Sequence, residues 1–167
     1  LYIALWAMKV GNFAIAYISD LTRRNHMLPY EHKIQYYETD QMKIVHHSNY
    51  IRWFEEARCD MLAQIGCGYD TVEARGIVSP VLGVTADYKS MSRFGETVVI
   101  EAVVSYYNGF RFNIAYTVRD KESGEVRCTG ETKHCFLNTD GRVVNLRKTA
   151  PDIHEKMLSL MPGETNE

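Results

Sequence analysis

One run of ten residues, 40–49, holds Asp40, His46, His47, Ser48 and Asn49. A carboxylate, two imidazoles, a hydroxyl and an amide thus share the wider segment Tyr36–Tyr50. It leaves a short apolar-aromatic run and enters the longest amphipathic pattern of the chain. A helix starting there leaves its first N–H groups unpaired, and its dipole favours negative charge at that end. Asp40 is then a candidate base or nucleophile, and the N–H groups near His47 and Ser48 are candidate donors to a developing anion. The blander reading of Asp40 is a loop or cap aspartate. Ser48 has no oriented Ser-His-acid pattern, so a helix cap competes with any catalytic part for it. His47 could position a substrate or water, or could simply brace the loop. A metal held by Asp40, His46 and His47 is not expected, because adjacent side chains of an extended segment point apart.

The elements that must hold this segment follow from periodicity. His32 to Tyr37 reads as a strand. Asn49 to Ile65 reads as a helix with Ile51, Phe54, Ala57 or Arg58, Met61 and Ile65 on its apolar stripe, stopped by Gly66 and Gly68. Tyr69 to Arg75 is a short helix or turn closed by Gly76. From Ile77 the period changes to two: strands are expected over 78–89, 97–107, 110–118 and 126–138. Val98, Ile100, Ala102, Val104 and Tyr106 should share a face, and Asn108-Gly109 predicts a type I′ hairpin. A helix starting at Thr149-Ala150-Pro151 closes the pattern. Strand, long helix, four-strand antiparallel meander and short helix make an α+β domain in which a curved sheet wraps the helix.

The chain has 167 residues and a net charge of -2, enough for one domain with its own core. From Met27 onward there are sixteen basic and twenty acidic side chains, which argues against a nucleic-acid binder. Residues 1–26 are expected to be a leader or extension outside the core fold, with 27–167 the single domain. The apolar run in 1–18 is broken by Lys9, Gly11 and Asn12, so neither a membrane span nor a signal peptide is expected. Cys59, Cys67, Cys128 and Cys135 form no CxxC pair, and free thiols in the cytoplasm are expected.

Three stretches carry a resemblance. Tyr37-Glu38-Thr39-Asp40, Val45-His46-His47-Ser48-Asn49-Tyr50 and Trp53-Phe54-Glu55-Glu56-Ala57-Arg58 are similar to the signature of the hotdog-fold acyl-CoA thioesterases. The nearest group is that of the 4-hydroxybenzoyl-CoA thioesterases and their YbgC-like relatives. Tyr88-Lys89-Ser90 and Arg93-Phe94-Gly95-Glu96 match a further stretch. The resemblance implies a long central helix wrapped by a curved antiparallel sheet, with hydrolysis of an acyl- or aroyl-CoA to free acid and coenzyme A. It implies no cofactor, coenzyme A being part of the substrate. Asp40 becomes base or nucleophile, with His47 and Ser48 beside it. Asn49 and Tyr50 would lock the loop, and Lys89, Ser90 and Arg93 would meet the phosphates, with Arg111, Arg119 and Lys133 weaker choices. Glu55 or Glu56 is a fallback base. Pairing edge to edge, as hotdog subunits do, implies a homo-oligomer, a dimer at least and in expectation a tetramer.

The sequence departs from the family pattern after the aspartate, where Gln41-Met42-Lys43 stands in place of the glycines or Ala-Gly pair of many relatives, and at Met91, in place of a proline. Two other readings stay open. A basic docking patch near the pocket would favour acyl carrier protein thioesters as substrates. Tight acyl-CoA binding with no thiol release would mark a non-catalytic binding module.

Overall fold

The computed structural model describes residues 27–161. The expected leader, residues 1–26, lies outside them. In chain order the elements are β1 (Tyr30–Lys33), a 3-10 turn (Tyr36–Glu38), α1 (Ser48–Gln64), α2 (Tyr69–Glu73), β2 (Ile77–Val78) and β3 (Val81–Tyr88). Then come β4 (Thr97–Tyr107), β5 (Arg111–Asp120), β6 (Val126–Cys135), β7 (Leu137–Asn138), α3 (Leu146–Thr149) and α4 (Pro151–Ser159). The main sheet is antiparallel in the order β1-β4-β5-β6-β3, and β2 pairs with β7 separately.

This order corrects the expected meander. Only β4, β5 and β6 follow one another in space; β3 crosses to the far edge beside β6, and β1 takes the other edge. Period-two patterning marks strands but not their neighbours, so this could not be read from alternation. Ser79-Pro80 divides the expected 78–89 strand into β2 and β3, and Phe136 separates β6 from β7.

Helix α1 is built as its sequence dictates. Gly66, at φ 67°, ends it in a Schellman motif: Gly66 N–H donates to the Ala63 carbonyl at 2.9 Å and Cys67 N–H to that of Leu62 at 2.8 Å. Its buried face is Asn49, Tyr50, Trp53, Phe54, Ala57, Arg58, Met61 and Leu62. Ile51, expected on that stripe, faces outward instead. Trp53 and Phe54 are wholly buried, and the Phe54 ring stacks on Tyr116 of β5 at 4.4 Å.

Gly130 of β6 makes that packing possible. A Cβ there would lie 2.5 Å from both Phe54 Cε2 and the Thr85 carbonyl oxygen. The helix sits close to the sheet because one side chain is missing beneath it.

Two local details correct the reading of the β4–β5 hairpin. A bulge between Val104 and Tyr106 shifts the register, so Tyr107 rather than Tyr106 turns inward. Its hydroxyl lies 2.6 Å from His154 Nδ1 of α4, and burial pushes the phenol up to about 12. The turn is not type I′, since only Gly109 has positive φ; Asn108 Oδ1 accepts from the N–H groups of Phe110 and Arg111. His134 of β6 is fully buried, with Nε2 3.2 Å from Arg58 Nη1. Burial first, and the Arg58 charge second, lower this imidazole to about 4.

Two outcomes follow. Gly130→Ala forces Phe54 off Tyr116 and should cost about 2–4 kcal/mol of stability, read by thermal or urea unfolding. His134 stays neutral when folded while the unfolded imidazole protonates near 6.5, so the unfolded state binds the extra proton between those values. Stability should therefore fall as pH drops from about 6.5 towards 4, and His134→Gln should flatten that limb of the unfolding-versus-pH curve.

Candidate active site

The segment between β1 and α1 is held by a buried carboxylate. Glu38 is only 4% exposed. Its oxygens accept from Gln35 N–H at 2.7 Å and Trp53 Nε1 at 2.8 Å, and His32 Nε2 lies 2.9 and 3.0 Å from the pair. Its backbone carbonyl accepts from His46 N–H at 2.9 Å and Asn49 Nδ2 at 2.8 Å. Burial pushes this carboxyl up, but the donors from Gln35, His32 and Trp53 outweigh it and hold the group below its ordinary range. One residue thus joins β1, the loop and the first turns of α1.

Asp40 stands two residues beyond this anchor. Its N–H and carbonyl close the loop, bonding the Ile44 carbonyl and the Lys43 N–H at 2.9 Å each. Its Oδ1 accepts from Met42 N–H at 2.8 Å, an Asx turn. The capping reading of Asp40 is therefore realised with one oxygen. The other has no hydrogen-bond partner among the described residues. Asp40 lines an open cleft of about 290 Å³ with Met42, Val45, His47, Tyr50, Tyr88 and Lys89.

Lys43 completes the turn at φ 61°, where a side chain costs about 1–2 kcal/mol relative to glycine. Lys43 thus carries a side chain in a backbone conformation that favours glycine.

The other expected site residues divide. His47 lines the cleft; its ring lies 4.1 Å from that of His46, and its carbonyl accepts from Tyr88 Oη at 3.1 Å. The two histidines do not point apart as an extended segment would require, because His47 already has helical angles, φ -52° and ψ -31°. Ser48 Oγ turns back to His46 Nδ1 at 2.8 Å and is not part of the cleft wall. Neither Ser48 nor Asn49 is the helix cap; His47 holds that place without a side-chain bond. Asn49 is buried against Glu38. Tyr50 lines the cleft and donates to Ser92 Oγ at 3.1 Å.

Lys89 and Ser90 lie on the cleft wall, with Lys89 Nζ 3.2 Å from Asp87 and Ser90 Oγ donating to the Val126 carbonyl at 3.0 Å. Arg93 is outside the wall, its Nη1 3.5 Å from the Lys43 carbonyl. Arg111 and Lys133 line a separate groove, Arg119 pairs with Glu101 at 3.5 Å, and neither Glu55 nor Glu56 lines the Asp40 cleft.

Sequence reasoning missed Glu38 and Ser92 as working parts. Gln35 followed by Glu38 is a capping-box spacing, and the structure makes that box. Ser92 had no such signal. It is buried, holding Tyr50 through its hydroxyl and Val45 N–H through its carbonyl at 2.9 Å.

A sheet curled over one long helix, with an acid-bearing loop at the helix start, defines a hotdog-fold protein. The sequence pattern of the Thioesterase-like superfamily matches residues 34–160, and the chain belongs to that family. It is 32% identical over 130 residues to YneP of Bacillus subtilis (strain 168), named as a candidate acyl-CoA thioesterase, covering 77% of this chain and 94% of that one. A DHNA-CoA thioesterase structure from Staphylococcus aureus superposes with a TM-score of 0.74 at 33% identity, over 77% of this chain and 87% of that one. Slr0204 of Synechocystis, a 1,4-dihydroxy-2-naphthoyl-CoA thioesterase, shares the fold at 16% identity and TM-score 0.71, over 80% and 96% of the two chains.

Because the folded state holds the Glu38 carboxyl low, its stability is present above the unfolded carboxyl's ordinary value and lost as pH falls through the folded one. Glu38→Gln should therefore melt lower than the parent at pH 7, by about 1–3 kcal/mol. The gap should narrow as the pH falls below the carboxyl's ordinary value, followed by thermal unfolding across that range.

Proposed function

We propose that the chain hydrolyses an acyl- or aroyl-CoA thioester to the free acid and coenzyme A. The observation that carries this reading is the free oxygen of Asp40 in a cleft opening at the N-terminus of α1. The cleft is walled by apolar side chains, Met42, Ile44, Val45, Tyr50 and Met91, which suit an acyl group and its pantetheine arm. His47 N–H, just ahead of the helix, has no hydrogen-bond partner among the described residues, and Ser48 N–H makes only a long 3.4 Å contact to His46 Nδ1. Both can turn to an oxyanion, with the helix dipole behind them.

Two routes use these parts. In one, Asp40 takes a proton from water while the water oxygen bonds the acyl carbon. The C–S bond then breaks, and the departing sulfur receives a proton. In the other, Asp40 bonds the acyl carbon and expels the thiolate, and water opens the resulting anhydride. A single turnover in heavy-oxygen water separates them, since only the second can leave label in Asp40. Lys89 on the cleft wall and Arg93 outside it serve the phosphates of coenzyme A.

Pairing of two copies fits the same picture. β3 is an edge strand with Val81, Leu82, Val84 and Tyr88 exposed, an arrangement that invites a second strand. We read it as the contact of a homodimer, assembling further to a tetramer, with the cleft beside it. The four cysteines are free, in keeping with a cytoplasmic setting. No helix among the described residues is long and apolar enough to cross a membrane.

Asp40→Asn keeps Oδ1 to accept from Met42 N–H, so the loop should hold and the protein should melt as the parent does. Thiol release on the best acyl-CoA of a panel should fall by about 10²–10⁴. Full turnover in that variant would remove Asp40 from the chemistry. Tight acyl-CoA binding by the parent without thiol release would leave a binding module instead.

A further inference from the structure

Two phenols stand in the wall of the Asp40 cleft, and their hydroxyls are spent differently. Tyr50 Oη donates to Ser92 Oγ at 3.1 Å, whereas Tyr88 Oη donates to the His47 carbonyl at 3.1 Å. That carbonyl belongs to the same peptide unit as Ser48 N–H. The unit is planar and trans, so its C=O and N–H point in opposite directions. A donor fixed on the oxygen therefore fixes where the N–H is aimed. It also draws charge towards the oxygen and makes the N–H a stronger donor.

The sheet holds Tyr88 firmly enough for this. It is the last residue of β3 and pairs with Cys128 of β6. The next two N–H groups, of Lys89 and Ser90, both donate to the Arg127 carbonyl, at 2.8 and 3.2 Å. The Tyr88 ring meets those of His47 and Tyr50 edge-on, at 6.4 and 5.3 Å. Burial raises the phenol above its ordinary value, so the O–H remains a donor throughout the neutral range. His46 Nδ1 competes only weakly for Ser48 N–H, being 3.4 Å from it and engaged by Ser48 Oγ at 2.8 Å.

Resting on the thioesterase reading above, we infer that Tyr88 is a positioning residue for the reaction, its hydroxyl holding the His47–Ser48 peptide so that Ser48 N–H meets the oxyanion. As the attacking oxygen bonds the acyl carbon, the carbonyl electron pair moves onto the thioester oxygen. The anion lasts until that pair returns and the C–S bond breaks. The aim of the N–H matters most in that interval, because the oxygen of the intact thioester carries little charge. Substrate binding is then indifferent to the hydroxyl, and turnover is not.

Tyr88→Phe keeps the ring and removes only the O–H. Beside the parent, on the best acyl-CoA of a panel, it should lose about ten-fold in kcat with KM changed by less than about two-fold. Two inhibitors should show the same split in calorimetric titrations. A thioether analogue of that acyl-CoA, with CH2 in place of the carbonyl, should bind parent and variant alike. A trifluoromethyl ketone analogue, which takes up an oxygen nucleophile to become tetrahedral, should bind the variant about ten-fold weaker. Replacing Tyr88 by 3-fluorotyrosine, which keeps the O–H as a stronger donor, should hold kcat at the parent's level, and a fall there would count against the inference even where Tyr88→Phe folds poorly. Unchanged kcat in Tyr88→Phe, equal loss of both inhibitors, or a rise in KM alone would overturn it and leave Tyr88 as a wall of the cleft. So would a fall in the mass of the assembly in solution, since the hydroxyl would then act through the β3 edge. If the parent releases thiol from no acyl-CoA, the thioesterase reading fails by itself. Tighter binding of the ketone by the parent than by the variant would then still support the positioning, and equal binding would end it.

Discussion

The carboxylate of Glu38, buried between His32, Gln35 N–H and Trp53, is the interaction on which the site depends. A buried charge is tolerated only when donors surround it, and these donors come from three different elements. Satisfying one anion therefore fixes β1, the 3-10 turn and α1 relative to one another. The same residue's carbonyl receives His46 N–H and Asn49 Nδ2, so the loop is tied at both ends to one point. Asp40 lies between those ends. Its position is a consequence of closure around Glu38 more than of anything its own side chain does.

The fold was legible where one residue type serves one purpose. Gly66 and Gly76 stop helices at positive φ, Pro151 opens α4, and alternation marks β4 and β5. It was illegible where a local pattern must be weighed against a distant partner. Tyr106 and Tyr107 are equally good inward residues by sequence; the bulge at Ser105, together with His154 beyond β7, decides between them. Ile51 fits the helical stripe, but the sheet covers the side defined by Trp53 and Phe54. The crossing of β3 to the edge beside β6 leaves no trace in the period of either strand.

The site shows the same division. Asp40 and the start of α1 were visible because an acid before a helix is a local arrangement. Ser48 looked reactive by type, and only the 2.8 Å contact to His46 shows that its hydroxyl looks away from the cleft. Ser92 carries no chemical signal in the sequence, yet Tyr50 and Val45 both rest on it. Glu38 could have been singled out by its capping-box spacing from Gln35, though that spacing alone does not say the carboxylate is buried.

Lys43 ties these threads together. Its left-handed backbone is strained by about 1–2 kcal/mol relative to glycine. The turn survives because its hydrogen bonds are made by backbone groups, Met42 N–H and Lys43 N–H among them, and by the Asp40 carboxylate, none of them by the side chains at 41–43. Glycines at 41–43 would allow the same turn and leave its tip bare. Met42 instead puts a thioether on the cleft wall, while its N–H and that of Lys43 hold Asp40. The backbone of the loop thus holds the acid, and a side-chain change at 42 alters what meets the cleft while the bonds to Asp40 remain.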